Sequence, residues 1–342
     1  MANLKDIAAK VGISHTAVSK YLRDPATKHV SAAVKRKIDQ AVAACHYRRN
    51  VIAGSLSSKK SQIISVLIPY NGPFSRSTFV NELLAGLESV CLNKGYHLLF
   101  PATKGEDSAT MVKHQITHGY GFDGFVLFAT RYCTSADIQQ NVAELARTQF
   151  PFVVVNSPLL SLEVNQVVFA TPAASSAVAF LFAQGHQRIA LFLGSPRSPM
   201  CEEELQQYRA LHAKRGLAVD EQLILYGDYE RASAKGSMLE FLRKELAFSA
   251  VYCVSDTMAL GVYEALKESG RRIPEDISVV GKHDAFFASF LNPPLTTVRV
   301  KMFDIGVHAA DMLLAAIRHG GPAKKIFLDN ELILRASTRV WK

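Results

Sequence analysis

Leu4-Lys-Asp-Ile-Ala-Ala-Lys-Val11, then Gly12, then Ser14-His-Thr-Ala-Val-Ser-Lys-Tyr-Leu22 is the stretch whose reading decides the fold of the N-terminus. Apolar residues at 4, 7, 8 and 11 keep the i, i+3, i+4, i+7 spacing of one helix face, and Asn3 stands where it caps the first turn. Gly12 sits where a helix ends in a left-handed residue, and Ser14 caps a second helix expected from about His15 to Leu22. Ala17, Val18, Tyr21 and Leu22 form its inward face, which leaves His15, Thr16, Ser19 and Lys20 pointing outward. Two helices across a tight turn, the second with a polar outer face, make a helix-turn-helix pattern shaped for a DNA major groove. From Ser31 to Cys45, residues Val34, Ile38, Ala41, Val42 and Cys45 recur at helical spacing and supply a third helix to close one small core.

Charge changes at nearly the same boundary. The first 60 residues hold 12 Lys and Arg against 3 Asp and Glu, whereas the rest of the chain carries 27 of each sign, so the net +9 lies in the head. A short basic module on a neutral body points to a polyanion as the partner of the head and to another task for the body. The chain has 342 residues, 49% of them hydrophobic, enough for this head and one large or two medium domains. No apolar run reaches the ~18 residues of a membrane span, and polar Asn3, Lys5 and Asp6 stand where a signal sequence has its apolar segment. The expected location is therefore the cytoplasm. Cys45, Cys91, Cys133, Cys201 and Cys253 are scattered and odd in number, which favours reduced thiols over a disulfide framework or a zinc site.

Beyond residue 60, short apolar runs alternate with helix-length segments. Ile63 to Ile68, Tyr96 to Phe100, Phe125 to Phe128 and Phe152 to Val155 read as strands, separated by helices such as Thr78 to Asn93 and Ser135 to Gln149. Ile189 to Leu193, Leu223 to Tyr226, Ala250 to Val254 and Ile277 to Val280 repeat the theme. This order predicts two parallel, doubly wound sheets, an α/β body of two lobes, with a ligand cleft between the carboxyl ends of their strands.

From Leu4 to Lys60 the chain resembles the lactose/galactose-repressor (LacI/GalR) family of bacterial transcription regulators, in Leu-Lys-Asp-Ile-Ala, Val-Gly-Ile-Ser and Val-Ser-Lys-Tyr-Leu. The likeness runs on through Asp123-Gly124, Gly185-His-Gln-Arg-Ile-Ala190, Asp256-Thr-Met-Ala-Leu-Gly261, Ile273-Pro-Glu-Asp-Ile-Ser-Val-Val-Gly281, Pro293-Pro-Leu-Thr-Thr-Val298 and Leu334-Arg-Ala-Ser-Thr338. The resemblance implies an all-α head at 1–48, a hinge at 49–61 and a periplasmic-binding-protein-like body at 62–342. Its lobes are expected at about 62–158 with 292–320, and at 159–291 with 321–342, the chain crossing between them three times. It implies a two-fold homodimer on a pseudo-palindromic double-stranded operator, tuned by a small-molecule effector, a sugar or related metabolite, without a cofactor. The family includes both inducible and corepressor-dependent members. No leucine heptads follow Arg339, so a dimer is expected in place of a tetramer.

Site residues follow position by position. His15, Thr16 and Lys20 match the family's base-reading positions; Lys20 donates to guanine O6 or N7, whereas His15 and Thr16 each donate or accept. Ser14, Ser19 and Ser31 are phosphate candidates, which set register without reading sequence. In the hinge, Asn50, Ala53 and Leu56 are expected at the DNA, Leu56 occupying the position of the family's minor-groove wedge. Arg49 stands where the family usually has proline, and Gly54 lowers helix propensity by roughly 1 kcal/mol, so hinge ordering is expected to depend more on DNA.

Catalytic and cofactor motifs are discounted on context. Gly119-Tyr-Gly-Phe-Asp-Gly124 has the G-x-G-x-x-G spacing but precedes a strand instead of following one. His114 and His118 lack a third ligand at zinc-enzyme spacing, and no Gly-x-Ser-x-Gly elbow occurs. No enzyme and no metal site is expected. A solute-binding transport protein would have no use for the basic head. The effector candidates are Phe74, Arg131, Asn156, Glu204, Ser255, Asp256 and His283. Three depart from the family: Glu204 stands where sugar-responsive relatives place arginine, His283 replaces an acid in Gly281-Lys-His-Asp284, and Asn156 replaces an aspartate. Ser255 and Asp256 open a helix beside the cleft. An effector with hydroxyls or a cationic group answering Glu204 is the expectation.

Overall fold

The computed structural model describes residues 3–47, 60–69, 77–101, 110–117, 121–130, 132–157, 161–170, 172–196 and 198–341. They fall into two units, one within Met1–Ser61 and one within Gln62–Lys342.

In the first unit, α1 (Leu4–Val11), α2 (His15–Arg23) and α3 (Ala32–Ala44) enclose a core built on Ile7, Ala8, Val18, Tyr21, Ile38 and Ala41. Asn3 and Asp6 form a reciprocal capping box on α1. Gly12 ends that helix at φ 75°, a conformation in which any Cβ is strained, and so turns the chain into α2.

The second unit contains two sheets. Strands β1 (Ile63–Leu67), β2 (His97–Leu99), β3 (Gly124–Phe128), β4 (Phe152–Val155), β5 (Gln166–Phe169) and a late strand, Lys325–Leu328, lie in the order late strand, β5, β4, β3, β1, β2, all parallel. Helices α4 (Thr78–Asn93), α5 (Met111–Thr117) and α6 (Ser135–Arg147) belong to this lobe. After α7 (Ala173–Ala183) come β6 (Ile189–Leu193), α8 (Pro199–Lys214), β7 (Ile224–Tyr226), α9 (Arg231–Leu242), β8 (Ala250–Cys253), α10 (Asp256–Glu268), β9 (Ser278–His283) and β10 (Thr296–Arg299). Helix α11 (Met302–His319) returns to the first lobe, whose late strand is β11, and β12 (Glu331–Ile333) closes the second sheet as its antiparallel edge. Buried runs such as Ile189–Leu193, with no alternation, are what parallel strands covered on both faces require.

Three crossovers between the sheets follow β5, β10 and β11, and they shift the expected lobe boundaries. β5 and β11 pair in the first sheet, although the expected bounds put 159–291 and 321–342 in the second lobe; β10 pairs with β9 in the second, although 292–320 is expected in the first. These are four-residue strands, and partner choice, which periodicity does not encode, decides which sheet they join. α11 packs against α4 so closely that a Cβ on Gly86 would collide with the Phe303 carbonyl oxygen. Among the described residues no helix is long and apolar enough to cross a membrane.

Candidate functional site

Each unit carries one candidate site. In the head, the Ser14 hydroxyl accepts the Ala17 amide at 3.2 Å and Ser31 accepts the Val34 amide at 3.4 Å, so both expected phosphate residues are also helix caps. Capping uses an oxygen lone pair and leaves the hydroxyl proton to donate to a phosphate. Tyr21 donates to both Asp39 oxygens, at 2.8 and 3.0 Å, and pins α2 on α3. The opposite face presents His15, Thr16 and Lys20 exposed and Ser19 half-buried. Among the described residues no acid lies within ion-pair distance of Lys20. Asn50, Ala53 and Leu56 lie outside the described residues.

In the body, a cleft of about 560 Å³ opens between the two lobes. Asn156, Glu204, Ser255, Asp256 and His283 all line it, brought from the ends of β4 and β9 and the beginnings of α8 and α10. Phe74 and Arg131, like His118, lie outside the described residues. Its walls carry Phe79, Phe128, Tyr132 and Phe169 from the first lobe and Tyr229, Phe286 and Phe287 from the second, with Glu230 beside Tyr229.

The polar groups are arranged differently from the sequence expectation. Glu204 is 3% exposed, and its carboxylate takes the amides of Ala173 and Ala174 at 3.2 and 2.6 Å, the Tyr252 hydroxyl at 3.2 Å and the Lys282 ammonium at 2.7 Å. It caps the N-terminus of α7, a helix whose own N-cap is Pro172 and which lacks a side-chain cap. Within the chain, the cation paired with Glu204 is Lys282. The two residues are 78 apart in sequence, so no local pattern pairs them.

Asp256 is held as tightly. Its oxygens accept the Ala285 amide and the Thr297 hydroxyl, each at 2.6 Å. Burial pushes its carboxyl up to about 7, against the pull of those two hydrogen bonds. Ser255 caps α10 through the Thr257 amide at 3.2 Å. Asp284 is bridged by Arg299 at 2.8 Å and Arg335 at 2.7 Å. Burial, with the Lys282 charge beside it, holds the His283 imidazole well below its ordinary pKa and therefore neutral, its ring 4.4 Å from that of Phe79. Asn156, at φ 57°, donates to the Ala129 carbonyl at 3.0 Å. Burial and the neighbouring Glu204 charge push Glu203 up to about 7.

Sequence reasoning missed Lys282, Phe79 and Tyr229. Lys282 lies inside the Gly281-Lys-His-Asp284 run, where only its contact with the remote Glu204 marks it. Tyr229, whose hydroxyl lies 2.9 Å from the Cys201 sulfur, follows a three-residue strand with no motif to mark it. Among the described residues no group of His, Cys, Asp and Glu is placed to hold a metal ion, and Cys91, Cys133, Cys201 and Cys253 are buried free thiols.

Comparison with known proteins agrees with both halves. Residues 3–50 match the pattern described as bacterial regulatory proteins, lacI family, and residues 178–338 match the periplasmic binding protein-like domain. The HTH-type transcriptional repressor CytR of Escherichia coli (strain K12) is 31% identical, over 99% of this chain and 96% of that protein. The HTH-type transcriptional repressor PurR of Vibrio atlanticus (strain LGP32) is 28% identical, over 99% and 98%. In fold, the chain is similar to the lac repressor dimer bound to operator and the anti-inducer ONPF, with a TM-score of 0.86, 24% identity and 99% of each chain covered. It is also similar to a regulatory protein of the LacI family from Chloroflexus aggregans, with a TM-score of 0.71, 25% identity and 81% and 98% covered. The chain belongs to the lacI family of DNA-binding transcriptional regulators, whose members are controlled by small molecules bound in the ligand domain.

Proposed function

We propose that this regulator is a repressor that binds a pseudo-palindromic operator as a homodimer and changes its affinity when a small molecule fills the interlobe cleft. One observation carries the reading: an exposed polar helix face on a capped three-helix head accompanies a body whose two lobes enclose an aromatic cleft. His15, Thr16 and Lys20 read base edges in the major groove, while Ser14, Ser19 and Ser31 hold phosphates. Asn50, Ala53 and Leu56 of the hinge contact the DNA, with Leu56 as the minor-groove wedge. Effector contacts come from His283, Ser255 and Asn156, with Phe74 and Arg131 proposed from sequence position alone; Glu204 and Asp256 shape the pocket from within.

The protein works as a binding device in the cytoplasm and not as an enzyme. Lobe closure shifts a two-state equilibrium by the difference in effector affinity between the states. Selection of duplexes from a randomised pool by the full chain tests the reading, with a two-fold related consensus as the expected result. Binding with no sequence preference, or unaltered by removal of residues 1–60, would sink it.

A further inference from the structure

We propose that Tyr21 and Asp39 are positioning residues for base recognition: the bond between them fixes how α2 is seated on α3, and with it how sharply the head tells one base sequence from another. This inference rests on the reading in which the outer face of α2 enters the major groove, and adds the device that holds that face in register. The first 60 residues hold three acids, Asp6, Asp24 and Asp39, in a module whose partner is a polyanion. Each weakens the attraction to phosphate, and each is tied by hydrogen bonds within the head. Asp6 accepts the Asn3 amide at 2.7 Å and Asp24 the Ala26 amide at 3.0 Å, both within a local turn. Asp39 bridges to another helix: its two oxygens take the Tyr21 hydroxyl at 2.8 and 3.0 Å, across 18 residues of sequence.

The backbone of α2 packs on that of α1 and makes few approaches to α3, so side chains make the link between α2 and α3. Val18 and the Tyr21 ring supply its apolar part, which is non-directional, and the phenol hydroxyl supplies a bond that weakens when its angle changes. Lys35, one turn before Asp39 on α3, closes the same corner. Its ammonium donates to the Pro25 carbonyl at 2.6 Å and lies 5.5 Å from the centroid of the Tyr21 ring, which ties the α2–α3 loop to the clasp. Lys20, next to Tyr21 in the chain, shows why seating matters. A turn of α2 by about 15° carries a side chain at a radius of 5–6 Å through roughly 1.5 Å, whereas a recognition group has to be held within about 0.5 Å. Attraction to phosphates is sequence-independent and survives such a shift. Loss of the clasp is therefore expected to cost discrimination and to spare non-specific affinity.

The test uses the full chain and two duplexes, one selected by the unchanged protein from a randomised pool and one of scrambled sequence. Tyr21→Phe keeps the ring and removes the hydroxyl. The ratio of the two affinities is expected to fall by at least about fivefold, the lower bound for one lost base contact, with binding to the scrambled duplex unchanged. Asp39→Asn keeps an oxygen to which the phenol donates and is expected to retain the ratio, whereas Asp39→Ala is expected to lose it as Tyr21→Phe does. A ratio that Tyr21→Phe and Asp39→Ala both leave unchanged overturns the proposal. So do parallel losses on the two duplexes, which mark the bond as a contribution to folding alone. Equal loss of the ratio in Asp39→Asn and Asp39→Ala overturns it as well, because the effect then follows the charge and not the bond. If Tyr21→Phe fails to fold, the two Asp39 variants decide. Selection of no consensus by the unchanged chain is a different failure, that of the groove reading on which the proposal rests.

Discussion

The head and the cleft handle charge in opposite ways. On the head, Lys20 stands exposed with no acid among the described residues beside it, ready to exchange water and counterions for DNA. In the cleft, Glu204 and Asp256 are buried and, like the half-buried Asp284 next to His283, each already has its partners within the chain. A surface that must meet a polyanion keeps its charges unspent, whereas a pocket between two low-dielectric lobes must satisfy its charges before any ligand arrives. Substitutions should therefore act on stability in the cleft and on recognition in the head.

The largest effect is expected from Glu204→Ala. It strands the Lys282 ammonium and the first amides of α7, and breaking a buried pair from one side costs about 3–5 kcal/mol. Urea unfolding of the full chain measures it; a loss under about 1 kcal/mol would erase the contrast with the head.

Stability against pH is the next test. Asp256 and Glu203 have folded-state values near 7, above the ordinary carboxyl values of about 4. A raised folded value means that their contribution is fully present below about pH 4 and is lost as pH rises towards 7. His283 and His186, both lowered by burial, run the other way, contributing above their ordinary value and losing that contribution as pH falls below it. Asp256→Asn should flatten the decline between pH 4 and 7, with little left to lose above it. Parallel pH curves for variant and parent would show that this carboxyl does not titrate in that window.

How much of this was legible depended on the range of the interactions. The head was readable because each signal is local: Asn3, Gly12 and Ser14 sit within a few residues of the helix ends that they cap or terminate, and 4, 7, 8 and 11 lie on one turn-by-turn stripe. The central strands were readable as unbroken apolar runs. The short strands β5, β10, β11 and β12 were not, because their neighbours come from remote sequence, as when Lys325 pairs with Gln166. The cleft was half legible. Asn156, Ser255, Asp256 and His283 could be found from strand and helix ends, but the partner of Glu204 lies 78 residues away, and no periodicity connects an α8 carboxylate to a β9 lysine.

On the head, Lys20→Ala should leave stability unchanged to within about 0.5 kcal/mol, since the side chain is exposed. It should instead relax base preference at one position of each half-site, by about 1–3 kcal/mol of discrimination if the ammonium reaches a guanine edge. A randomised operator library scores this directly, and an unchanged preference profile would remove Lys20 from the reading set.

Ser31→Ala carries the smallest effect and the finest test of the contrast, because this residue has both a structural and a proposed recognition role. Loss of the cap to the Val34 amide should cost the head about 1 kcal/mol. If the hydroxyl proton also reaches a phosphate, affinity should fall by a similar amount on every sequence, specific or not, because phosphate contacts set register and carry no base information. Ser31→Asp separates the two roles. Aspartate is as good a cap as serine, so helix stability should return, but a carboxylate facing a phosphate repels it and affinity should drop further. Recovery of both stability and affinity in Ser31→Asp would mean that the hydroxyl is a cap alone, and that the head's phosphate grip rests on its exposed lysines.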